Sequence, residues 1–176
     1  PHTGYPATDK EEWLRELRAC REYGLNHIRF HSWCPPDAAF RAADKAGIYF
    51  EIEMPMWGKD ALEDEARYNF FRREIMAILK YYGNHPSFLL YCNGNEIQGN
   101  FDFVEELTSS AIAKDSRHLY SGSTARTRVP SDQYYISQET PKGPAKVYEG
   151  RPGTDWDTNE ACDVDVPIIS HESGQR

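Results

Sequence analysis

The sequence predicts an α/β fold of the (β/α)8 TIM barrel class, present in part. Three observations carry this expectation. Through the first 120 residues, short apolar runs of strand length alternate strictly with segments of helical period, the pattern of a parallel sheet. Polar and charged groups recur where those runs stop, and a barrel of this class keeps its active site at the C-terminal ends of its strands. No glycine-rich phosphate loop follows a strand, so the doubly wound alternative lacks support. Six strand candidates can be counted, fewer than a closed barrel of eight needs.

The elements follow in order. Thr8, Asp9, Lys10 and Glu11 have capping-box spacing, Trp13, Leu17 and Cys20 continue at helical spacing, and Gly24 is the stop. Residues 27–31 read as a strand ended by Pro35 and Pro36. A second helix opens at Pro36 and Asp37, carries Phe40, Ala42 and Ala43, and stops at Gly47. Residues 48–53 form the next strand, broken at Pro55. A third helix is expected over 64–82, with Phe71, Ile75, Ile78 and Leu79 on its apolar face, followed by a strand at 88–92. A helix over 101–114 and a short strand at 118–121 come next. Residues 122–166 are rich in Pro and Gly and predict long loops around one strand, 133–136, over a binding face. The last strand is 166–170. No linker divides the chain, so residues 1–176 read as one domain; starting at Pro1, it looks cut from a longer protein.

Bulk properties narrow the function. A net charge of −8 and a pI near 5.2 disfavour nucleic acid, whose phosphates require a basic face. Mean hydropathy is −0.74, and no apolar run approaches the roughly 20 residues of a membrane span. Cys20, Cys34, Cys92 and Cys162 form no C-x-x-C pair, which argues against a zinc ribbon or redox motif; Cys20 and Cys92 are expected as buried thiols.

Chemistry concentrates at strand ends. Asn95 and Glu96 close the run that starts at Phe88. A carboxyl on the partly dry rim of a sheet can have its pKa raised, as a general acid requires. Glu172 follows the apolar Pro167, Ile168 and Ile169 in a similar setting, and two such carboxylates are the minimal apparatus for cleaving a glycosidic bond. A nucleophilic Glu172 stays ionised beside a cation, for which Arg29 is the nearest choice in pattern. On a strand, His27, Arg29 and His31 share one face. His27 and His31 would then lie roughly 13 Å apart, too far for one metal ion. No metal or other cofactor is called for. His31 is assigned to substrate or a carboxylate. Glu53 faces the site as a substrate ligand or as an ion-pair partner, and Trp33 and Trp57 are sugar platforms or loop-packing residues.

These residues resemble glycoside hydrolase family 2. The segment 23–29, Tyr-Gly-Leu-Asn-His-Ile-Arg, with the following 31–36, is similar to that family's second-strand motif. Residues 43–48 through Glu53, Met54 and Pro55 resemble its next helix-strand unit. Asn84, His85, Pro86 and Ser87 with Gly94, Asn95 and Glu96 match its fourth-strand motif, and Pro167 to Gln175 its seventh. The motifs occur in the family's order and span nearly the whole chain. The resemblance implies strands 2 to 7 of the barrel, with β-sandwich domains in the same parent chain. It implies a retaining, exo-acting glycosidase of the β-galactosidase, β-glucuronidase or β-mannosidase kind, with a β-galactosidase-like activity on a terminal β-linked sugar, Glu96 as acid/base and Glu172 as nucleophile. Two departures bear on the sugar: His31, Ser32 and Trp33 stand where Ser-His-Tyr is usual, and the region after Tyr120 is long. The family's tyrosine near the nucleophile falls on Tyr134 or Tyr135. A non-catalytic glycan-binding barrel is the competing expectation. A periplasmic or extracellular location is favoured if the parent degrades polysaccharide.

Overall fold

The computed structural model describes residues 4–58, 64–124, 128–137, 139–140, 143–144 and 165–170. The element order is α1 (Lys10–Glu22), β1 (His27–Phe30), α2 (Asp37–Ala46), β2 (Tyr49–Glu53), α3 (Glu65–Tyr82), β3 (Phe88–Cys92), α4 (Phe101–Lys114), β4 (Leu119–Ser121), β5 (Tyr135–Ser137), β6 (Glu139–Thr140), β7 (Gly143–Pro144) and β8 (Ile168–Ser170). The helices start on side-chain caps where a donor needs one: Asp9 accepts from the Glu12 N–H, Asp64 from Ala66 and Asn100 from Phe103. The α1 cap is therefore Asp9, one residue later than the capping-box spacing places it. Gly47 ends α2 in the left-handed conformation that lets its N–H reach Ala43 O.

β1, β2, β3 and β4 lie side by side in chain order, all parallel, and β5 pairs parallel with β8. A bridge between Thr124 and Ile136 and the Gln133 N–H on Tyr120 O join the two groups. This sequential parallel order is that of consecutive β/α units; closure into a barrel is not seen among the described residues. The short antiparallel hairpin of β6 and β7 lies inside the span expected as loops. Alternating polar and Pro/Gly residues there conceal a pattern only two residues long per strand.

Alternation along the strands separates two faces. The helix face carries Phe30, Phe50, Ile52, Tyr91 and Tyr120, packed against Leu14, Leu17, Phe40, Ile75, Leu79, Val104 and Leu107 in one apolar cluster. Phe50 lies edge-on to Phe30 and Phe40, with centroids 4.7 and 5.6 Å apart. The far face carries Arg29, Glu51 and Glu53 beside a smaller cluster of Leu90, Cys92, Tyr134, Ile136 and Ile169. Cys92 is buried as expected, whereas Cys20 is only half-buried because it sits at the edge of the α1 face.

Candidate active site

The far face becomes polar toward the strand C-termini, and Arg29 is its centre. Its Nε donates to Glu53 Oε1 at 2.5 Å and its Nη2 to Asn95 Oδ1 at 2.6 Å. Glu53 is fully buried. Its second oxygen accepts from the Ser32 N–H at 2.6 Å, which Ser32 aims inward by adopting a φ of 49°. Burial pushes the Glu53 carboxyl up, while the Arg29 charge and the Ser32 N–H pull it back. We take it as ionised, because each oxygen faces a donor that a protonated acid would repel. Burial also opposes the charge on Arg29, but the neighbouring carboxylates raise its pKa. Of the two roles open to Glu53, the geometry favours the ion pair.

Asn95 is positioned from three sides. Its backbone bridges Trp57 on one side and Thr124 on the other, and its N–H donates to Met56 O at 2.9 Å. Its Oδ1 also accepts from Thr124 Oγ1 at 2.7 Å. With both lone pairs of that oxygen engaged, the amide's NH2 is directed away from Arg29 and Thr124. Gly94 makes the approach feasible, since a Cβ there would stand 2.0 Å from Met56 O. Glu96 is half-buried with a φ of 48°, in the left-handed region that a glutamate rarely adopts. Its N–H donates to Thr124 Oγ1 at 3.0 Å, and the next N–H, of Ile97, donates to Ser123 Oγ. Two hydroxyls after β4 thus hold the backbone that presents Glu96. A strained backbone held on both sides is a recurrent mark of functional positions.

The remaining candidates scatter around this network. β1 ends at Phe30, so His31 lies in the following turn rather than in register with Arg29. It is exposed, with its ring edge-on to Trp57 at 5.4 Å and 86°. Trp57 is 56% exposed and stands next to Asn95, as a stacking platform would. Trp33 is 36% exposed and packs edge-on against the buried Phe30 at 5.5 Å, the loop-packing alternative. Glu172 lies outside the described residues, so its expected pairing with Arg29 is not among the contacts seen. Tyr134 and Tyr135 are both buried, and Tyr134 donates to Tyr91 O at 3.0 Å. Thr124 and Ser123 escaped sequence reasoning. Their signal is weak: two small hydroxyl residues a few positions beyond a strand, as in any turn. Among the described residues no cluster of three His, Cys, Asp or Glu could hold a metal. A separate cavity of about 480 Å³, lined by Met76, Leu79, Lys80, Asn84, Lys114, Asp115 and Arg117, lies by the C-termini of α3 and α4, at the opposite end of the strands from Asn95.

The fold is that of known glycosidases. The β-glucuronidase of Parabacteroides merdae superposes with a TM-score of 0.65 over 76% of this chain, at 19% identity. The β-glucuronidase 3 of Bacteroides uniformis gives 0.63 over 74% at 23% identity, and the β-D-mannosidase of Dictyoglomus thermophilum 0.57 over 66% at 22% identity. The chain spans 18%, 18% and 16% of those proteins. No family model and no curated protein sequence matches it.

Proposed function

We propose that the chain is the central part of the catalytic domain of a retaining glycosidase that removes a terminal β-linked sugar. The observation that carries this reading is the Arg29–Glu53–Asn95–Thr124 network, which fixes an amide donor and the strained Glu96 side by side at the strand ends. The likeness to β-glucuronidases and a β-mannosidase supports the same reaction class. β-Sandwich domains elsewhere in the parent chain would complete the enzyme.

In this reading Asn95 donates its NH2 to a hydroxyl of the bound sugar, and Trp57, braced edge-on by His31, offers its ring face to the sugar. Glu172 attacks the anomeric carbon while Glu96 gives its proton to the departing glycosidic oxygen. The bond to the leaving group breaks as the ester to Glu172 forms. Water then attacks the anomeric carbon, Glu96 takes its proton, and the sugar leaves with Glu172 restored. The two carboxyls should lie roughly 5–5.5 Å apart, the spacing of retaining enzymes.

The test is a panel of aryl β-galactosides, β-glucuronides and β-mannosides on the full-length parent, with a mechanism-based fluorosugar. Turnover of one member, with the label on Glu172, is the expected result. Sugar binding with neither turnover nor label would replace the enzyme by a glycan-binding barrel of the same fold.

A further inference from the structure

Beneath the site, one acidic side chain remains outside the chemistry described. Glu51 is 1% exposed, points to the far face, and stands in register beside Arg29 on β1 and Leu90 on β3. Among the described residues its Oε1 has no hydrogen-bond partner. The Tyr134 phenol stands beside the carboxyl, and its hydrogen bond pulls the carboxyl's pKa down by less than burial pushes it up. That phenol has one hydrogen, and it goes to Tyr91 O at 3.0 Å. That hydrogen is therefore at best shared between Tyr91 O and Glu51, so Tyr134 gives a Glu51 anion little support. Charge counting favours a proton on the carboxyl. Two buried carboxyls, Glu51 and Glu53, face one guanidinium, and Glu53 already holds it in a direct ion pair. Arg29 offsets only part of the desolvation of a second buried anion, and among the described residues no other cation is seen beside Glu51.

We propose that Glu51 is a positioning residue: as an un-ionised acid below Arg29, it leaves the guanidinium to Glu53 and Asn95, and on losing its proton it draws Arg29 away from Asn95. Burial first, and then the Glu53 charge, push the Glu51 carboxyl from 4.5 up to about 8, consistent with that state at neutral pH. Of the other groups around it, Cys92 and Tyr134 titrate above this interval while His27 and Asp132 fall partly within it, so the difference between wild type and E51Q isolates Glu51. His27 on β1 is held neutral by burial, which lowers its pKa. Burial pushes the Cys92 thiol on β3 and the Tyr134 phenol well up. Glu53 on β2 is locked to Arg29. Asp132, behind Tyr134, is raised to about 6 and binds the Gly122 and Val129 N–H groups instead.

The sign follows from linkage. A carboxyl whose folded pKa is raised binds its proton more tightly in the folded chain. Its contribution to stability is complete below 4.5 and is lost as pH rises to about 8, at up to about tenfold in the folding constant per pH unit. The kinetic consequence rests on the glycosidase reading; the protonation state does not.

The experiment uses full-length wild type and Glu51→Gln, whose amide keeps the shape of the acid and cannot ionise. Infrared difference spectra at neutral pH should show an un-ionised carboxyl in wild type that E51Q lacks. The fall of Tm from pH 5 to 8 should be shallower in E51Q. In turnover, KM of wild type should rise as pH passes about 8, and KM of E51Q should stay level there. A Tm slope identical in both proteins, no carboxyl band, or an E51Q that fails to fold would overturn the assignment. If the band and slope appear but no glycoside is turned over, the glycosidase reading fails while the protonated Glu51 stands.

Discussion

The two faces of one sheet are built on opposite principles. Along β2, Phe50 and Ile52 turn to the helices and meet only apolar neighbours, while Glu51 and Glu53 turn the other way and meet one arginine. The helix face is stabilised by burying hydrocarbon, which is non-directional and tolerant of the exact partner. The far face is held by donors and acceptors matched one to one, so that removing one leaves another stranded. A site that must hold an amide and a carboxylate in place is therefore put on the less forgiving face.

Substitutions can test that contrast, beginning with the largest effect. Changing Glu96 to Gln in the full-length protein should lower kcat on the best aryl glycoside by about 10²–10⁴-fold, the usual worth of a general acid/base, and leave the unfolding midpoint almost unmoved. A loss of stability without a loss of rate would assign Glu96 to structure.

Next come Arg29→Leu and Phe50→Ala, a pair chosen for similar size and different cause. Each should cost about 3–5 kcal/mol in denaturant unfolding. The Phe50 deficit should be independent of pH, since only packing is lost. The Arg29 deficit should shrink on acidification: Glu53, deprived of its cation, has its folded pKa raised further, so stability is retained below 4.5 and lost as pH rises. Equal pH profiles for the two variants would abolish the distinction between the faces.

Thr124→Val keeps shape and removes the hydroxyl that serves Asn95 and Glu96. It should cost about 1–3 kcal/mol and reduce kcat/KM more than Thr124→Ser does, as seen by paired unfolding and kinetic measurements. The smallest effect is expected for Asn100→Ala, at the start of α4 just beyond the site. Loss of its cap to the Phe103 N–H should cost about 1 kcal/mol, with kinetics unaffected.

Much of the fold was legible from the residues. The strand-helix alternation, the α2 stop at Gly47 and the limits of β3 and α4 came from periodicity and caps, which are local signals. Local signals also mislead at boundaries: His31 continues the alternation of β1 on paper, yet the chain turns at Phe30 and places it against Trp57. The partner of Arg29 was less legible. Its charge demanded a carboxylate, and the pairing of β1 with β2 put Glu53 against it among the described contacts. Thr124 was illegible, because its role depends on a bridge to Asn95 twenty-nine positions earlier.

By itself, the sequence determined the α/β class, the order of the elements and the presence of paired acid and amide at a strand end, because those depend on residue type and short-range period. Tertiary structure alone decided which side chains share a proton or a charge. Glu51 and Glu53 are two identical residues two positions apart on one face, and only the neighbours each meets make one an ion-pair partner and the other a buried acid. The physical reason is that desolvation and hydrogen bonding act over a few ångströms of space, without regard to separation along the chain.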